Sequence, residues 1–101
     1  MSVKCGGASE EKVATENEQN LCDKVKSDLE SQTKKTFTTY TAISYRTQVV
    51  AGTNYFIKVD VGDEHYHLRI FVPLPYTQNP ASLDAYEAGH TAESELSYFS
   101  N

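Results

Sequence analysis

The sequence predicts an α+β fold in which one N-terminal helix is gripped by a curved antiparallel sheet of four to five strands. Three observations carry this. Leu21, Val25 and Leu29 recur every four residues with Cys22 beside them, the stripe of an amphipathic helix. From Tyr55 onward the period falls to two: Tyr55, Ile57, Val59 and Val61 alternate with Asn54, Lys58 and Asp60, and Tyr66, Leu68, Ile70 and Val72 alternate with His65, His67, Arg69 and Phe71. Turn chemistry separates these runs, at Gly62-Asp63-Glu64 and at Pro73-Leu74-Pro75-Tyr76.

At 101 residues the chain fits one domain, residues 1–101, with a single core. Its 39% hydrophobic and 23% charged residues are ordinary for a soluble globular protein. A net charge of −5 gives no electrostatic footprint for nucleic acid. No run is long and apolar enough to span a bilayer, and the first thirty residues hold no signal-peptide core, so neither membrane association nor classical secretion is expected. Cys5 and Cys22 form no CxxC pair and read as free thiols of a reducing compartment. The expected location is the cytoplasm, with the nucleus open to so small a protein by diffusion.

Taken in order, residues 1–12 lack any apolar period and form a mobile arm, whose inner end near Lys12–Ala14 can add a fifth strand. Thr15-Glu16-Asn17-Glu18 is a capping box, with Thr15 as N-cap, and opens a helix of about four turns. A β-rich segment runs from Phe37 to Arg46. Phe37 and Tyr40 are out of phase with it, which predicts a bulge within Thr38–Tyr40. The strand Thr53–Val61, the polar Gly62 turn and a strand from His65 to Val72 follow, the last ended by Pro73 and Pro75. Thr77–His90 reads as a long connection, and Ser94–Phe99 as a final short strand. Hairpin connectivity places the tip at 48–52 and the turn at 73–76 at one end of the sheet, and the Gly62 turn at the other.

The tip itself is unusual. A solvated hairpin tip is normally polar, yet Gln48-Val49-Val50-Ala51-Gly52 carries adjacent valines. Either the fold covers this corner, or the valines are exposed because a partner buries them.

Gln-Val-Val-Ala-Gly at 48–52 is the signature of the cystatin superfamily, and its extension through Thr53-Asn54-Tyr55-Phe56-Ile57-Lys58-Val59 resembles the type 1 cystatins, the stefins. The likeness continues at Cys5-Gly6, Val61-Gly62-Asp63-Glu64, His67-Leu68-Arg69, Leu74-Pro75 and Glu95-Leu96…Tyr98-Phe99. It implies the cystatin fold and reversible, tight, non-covalent inhibition of papain-like cysteine proteases such as cathepsins L, B, H and S. It also implies a three-part wedge: the N-terminal glycine corresponds to Gly6, the first loop to Gln48, Val49, Val50, Ala51 and Gly52, and the second to Leu74 and Pro75. Val3, Lys4 and Cys5 would fill the non-primed subsites, and Gly6, lacking a side chain, would divert the arm past the thiolate. The chain departs from the type 1 pattern at Pro73, at Tyr76 where a histidine is usual, in a Gly62 hairpin one residue shorter, and in the added Ser100-Asn101. Tyr76 is thereby a second-loop contact of altered character.

Two other classes are weaker. An enzyme would need Cys5 or Cys22 as nucleophile with His65, His67 or His90 as base, but Cys22 lies on a buried stripe and Cys5 on an arm that holds no fixed base. His65-x-His67 puts two imidazoles on one outward strand face, able to bind zinc or copper only weakly. Two ligands make a poor site, such histidines are expected to be solvated, and no metal function or cofactor is expected. The remaining alternative is a non-inhibitory assembly protein, in which the first hairpin straightens and swaps between two copies. The inhibitory form is expected to be the monomer.

Overall fold

The computed structural model describes residues 10–97 and residue 99. Its elements are β1 (Lys12–Val13), α1 (Glu16–Lys24), α2 (Lys26–Thr33), β2 (Thr41–Val50), β3 (Gly52–Asp60), β4 (His65–Val72), a 3₁₀ turn (Pro75–Thr77) and β5 (Ser82–His90). The five strands form one antiparallel sheet in sequence order. This is the expected α+β architecture, with Lys12–Val13 supplying the fifth strand.

The helix starts where the capping box places it. Thr15 Oγ1 accepts from Asn17 N (3.3 Å), and Glu18 Oε1 accepts from Thr15 N (2.8 Å) and Thr15 Oγ1 (2.6 Å). Burial would raise the Glu18 carboxyl, but these bonds and one from Asn17 outweigh it and hold the group below its usual range. The single expected helix is divided at Val25. Tyr40 Oη donates to Cys22 O (2.7 Å) and Val25 N closes a tight turn on the same carbonyl (3.2 Å), so an inserted side chain breaks the ladder there. The stripe survives the break: Leu21, Cys22, Val25 and Leu29 are all buried against Phe37, Ile57, Val59, Val61, Tyr66, Leu68 and Ile70.

The bulge lies four residues from the middle of its expected place. Pairing shifts between Ala42 and Ser44, so Ile43 is the extra residue. Residues 37–40 are not strand, because Gln19 takes over the start of β2: its Nε2 donates to Tyr40 O (3.1 Å) and its Oε1 accepts from Ala42 N (2.8 Å).

The chain beyond residue 77 differs more. The expected connection contains β5, and the expected final strand is irregular from 91 to 97. Two register shifts against β4 break the alternation of β5, which removes the period-two signal. The segment after it instead covers the sheet face away from the helix. Lys58 Nζ donates to Ala92 O (2.9 Å), Arg46 Nη1 donates to Leu96 O (2.8 Å), and Leu96 is fully buried. Phe99 meets the buried Phe56 edge-on at 5.7 Å. Lys58 and His67, expected on a solvated face, are therefore buried.

Candidate functional site

The first loop is a hairpin of minimal length. Val49 pairs with Thr53 and Val50 with Gly52, which leaves Ala51 alone at the apex. Asn54 Nδ2 donates to Gln48 Oε1 (3.1 Å) across the two strands and fixes the loop base. Gly52 has φ +127°, a conformation in which a side chain is strained. A Cβ there would also stand 2.6 Å from Val72 O and 2.8 Å from Phe71 Cζ. The tip can fold this tightly only because position 52 has no side chain. Val49 is 74% exposed and Val50 44%, so the fold does not cover this corner.

The second loop leaves β4 beside the first, since Val72 pairs with Thr53. Leu74 is half-buried and extended, and Pro75 opens the 3₁₀ turn, where its missing N–H is no loss. Leu74 O accepts from Thr77 N (3.0 Å) and Thr77 Oγ1 (2.8 Å), Pro75 O accepts from Gln78 N (3.2 Å), and Gln78 takes a left-handed conformation. The turn is thus closed on itself, and Tyr76 projects from it 81% exposed. Thr77 and Phe71 were missed by sequence reasoning as supports of this edge. The Thr77-Gln78-Asn79 run, whose Thr77 Oγ1 also accepts from Asn79 N (3.3 Å), is the local turn signal that could have identified the first.

Gln48, Val49, Val50, Ala51, Gly52, Leu74, Pro75 and Tyr76 therefore lie on two adjoining loops at one end of the sheet, opposite the Gly62 turn. Val3, Lys4, Cys5 and Gly6 lie outside the described residues. β1 runs antiparallel to β2, with Lys12 opposite Tyr45 and Val13 opposite Ser44, so the chain travels through β1 away from the loop end. Glu11 is anchored by Ser44 Oγ, which donates to its carboxylate.

Among the described residues this edge carries no thiol, imidazole or carboxylate from its two loops. Cys22 is in the core, where burial, with Asp23 and Glu18 adding to it, pushes its thiol far above the ordinary range and keeps it a poor nucleophile. What the edge offers is apolar surface on short, hydrogen-bonded loops, fit to enter a groove in another molecule.

The cystatin domain pattern matches residues 6–93 of this chain. Cystatin-B of Mus musculus is 48% identical over 96 residues, covering 94% of this chain and 98% of its own length. Cystatin-B of Homo sapiens is 46% identical over 96 residues with the same coverage. Leukocyte cysteine proteinase inhibitor 1 of Sus scrofa is 46% identical over 95 residues, 93% of this chain and 92% of that protein. A match that begins at Gly6 and runs through both loops, on a helix packed against a five-stranded antiparallel sheet, shows that the chain belongs to the cystatin family, among its type 1 members.

Proposed function

We propose that this protein is a reversible, non-covalent inhibitor of papain-like cysteine proteases, with cathepsins L, B, H and S as the target class. The observation that carries this reading is the pairing of two apolar tips, the exposed Val49-Val50 and the half-buried Leu74 with exposed Pro75 and Tyr76, held together by the contact of Gly52 with the end of β4. Membership of a family whose named members include a cysteine proteinase inhibitor supports the same conclusion.

The proposed mechanism is occlusion. A papain-like cleft carries a thiolate at its floor. The two loops fill the cleft on one side of the thiolate, and Val3, Lys4 and Cys5 occupy subsites on the other. Gly6 turns the arm past the thiolate, so no carbonyl sits in attack geometry and the inhibitor is not cleaved. Burying Val49 and Val50 contributes roughly 1.5–3 kcal/mol each. A standard interface of about 1,600 Å² then supports binding near −12 kcal/mol.

Active-site titration of papain with the chromatographic monomer tests the reading. The expected result is stoichiometric, recoverable inhibition, weakened at least a hundredfold by Gly6→Glu with the melting temperature unchanged. An inert monomer would overturn it in favour of a non-inhibitory protein that assembles through a swapped first hairpin. Among the described residues no helix is long and apolar enough to cross a membrane, and the proposed site of action is the cytoplasm.

A further inference from the structure

The sheet face away from the helix carries a second constellation, at the opposite end of β4 from the loops. In β4, His65 and His67 point to this face, and β5 brings Glu87 opposite His67 and His90 opposite His65. Between these pairs one residue of β4, Tyr66, faces two of β5, so a bulge spans 88–89. Gly89 makes it possible with φ +77°, and its N–H donates to Glu64 Oε1 (2.6 Å). The extra residue reverses the phase of β5, so that His90, and not Gly89, shares a face with Glu87.

The outcome is a compact cluster. The His67 and His90 rings stack with centroids 3.6 Å apart and planes 7° apart, and His90 Nε2 lies 2.9 Å from Glu87 Oε1. One ligand atom from each of His67, Glu87 and His90 lies within 4.8 Å of the other two. His67 is 1% exposed, and its Nε2 is buried without a hydrogen-bond partner among the described residues. A buried ring nitrogen with no partner is unfavourable unless something can occupy the space before it. The neighbouring cation, Lys58, faces His67 across the β3–β4 register but is engaged by Ala92 O (2.9 Å) and by Glu11 Oε2 (3.9 Å).

We propose that His67, Glu87 and His90 bind one divalent transition-metal ion of the zinc class, through two imidazole nitrogens and one carboxylate oxygen, with water as the fourth ligand. Two imidazoles and a carboxylate match the borderline-soft preference of zinc, and three protein ligands leave an open position. Tetrahedral ligands at zinc bond lengths stand about 3.3 Å apart, so the widest separation in the cluster closes by roughly 1.5 Å on binding. The two half-exposed groups, Glu87 and His90, supply that movement at the end of β5 by opening the ring stack, while His67 stays fixed in the sheet. The ion replaces the proton between His90 Nε2 and Glu87 Oε1, and it engages His67, whose Nε2 has no hydrogen-bond partner among the described residues.

The test is calorimetric titration of the chelator-treated full chain with zinc, in a Cys5→Ser background so that the N-terminal thiol is not a ligand. One zinc per chain is expected, with an increase in melting temperature. His90→Ala and Glu87→Gln should each weaken binding at least tenfold, and His65→Ala by less than twofold. Replacing His67 risks the fold, so it is followed instead by the imidazole NMR signals of the unaltered chain, where those of His67 and His90 should shift together on adding zinc. Absence of saturable binding at millimolar zinc, full affinity in His90→Ala, or loss of binding in His65→Ala would each overturn the assignment.

Discussion

Replacing Gly52 by alanine puts the geometry of the loop edge to its sharpest test. At φ +127° an L-residue is strained by about 1–3 kcal/mol. The added methyl would stand 2.6 Å from Val72 O, a backbone atom inside the β3–β4 ladder that cannot rotate away, and 2.8 Å from the Phe71 ring. Either the β3–β4 pairing opens at Thr53–Val72 or the tip reorients, and both displace the second loop, which begins at Pro73. Strain and overpacking together give a loss of about 2–4 kcal/mol. For a domain of this size that lowers the melting temperature by roughly 10–25 °C. Urea denaturation gives the stability, and titration against papain gives the inhibition constant of the fraction still folded. That constant should rise at least tenfold, because position 52 fixes both loops at once. A Gly52→Ala protein within about 2 °C of the parent and equally inhibitory would refute the claim that this contact couples the two tips.

Two further outcomes follow from the same coordinates. Val50→Asp puts a charge on a tip that must lose its water on docking, so inhibition should weaken about a hundredfold while stability, measured by melting temperature, stays nearly unchanged. In acid, the buried His67 should destabilise the metal-free protein. Burial first, then the nearby His90, Lys58 and His65, pushes its imidazole down to about 4, against 6.5 for the ordinary group. The unfolded chain takes up this proton first, so stability is full above about pH 6.5, falls as pH drops toward 4, and levels off below. The loss at pH 5 is about 2 kcal/mol, read from urea midpoints with chelator present. An NMR midpoint for His67 above 6 would contradict it.

What the sequence made legible is what nearby residues decide. Thr15 and Glu18 cap their own helix, and Tyr55–Val61 and Tyr66–Val72 declare a helix-facing side by strict alternation. The loops were legible because a tight turn restricts its own residues, glycine at 52 and proline at 75. The rest depended on distant partners. The helix breaks because Tyr40, eighteen positions on, inserts at Cys22. β5 was hidden because its two irregularities destroy the period that would reveal it. Lys58 and His67 looked solvated, since nothing near them in sequence announces that residues 91–97 fold back over their face.

The order of the strands separates the two sites. Four residues of β4 lie between His67 and Val72, so the two positions are five steps apart, about 17 Å of extended chain. The loop edge needs only outward apolar side chains on backbone already closed by its own hydrogen bonds, as between Thr77 and Leu74 and between Asn54 and Gln48. Docking there orders little that is not already ordered, and most of the gain from burial is kept as affinity. The histidine cluster has the opposite character, because it is incomplete until a ligand enters. An ion bound there joins β4 to the end of β5 and stabilises the folded chain by mass action, without reaching the tips. Stability and inhibition should therefore respond independently: substitutions at Glu87 and His90 alter the first, and those at Val49 and Val50 the second.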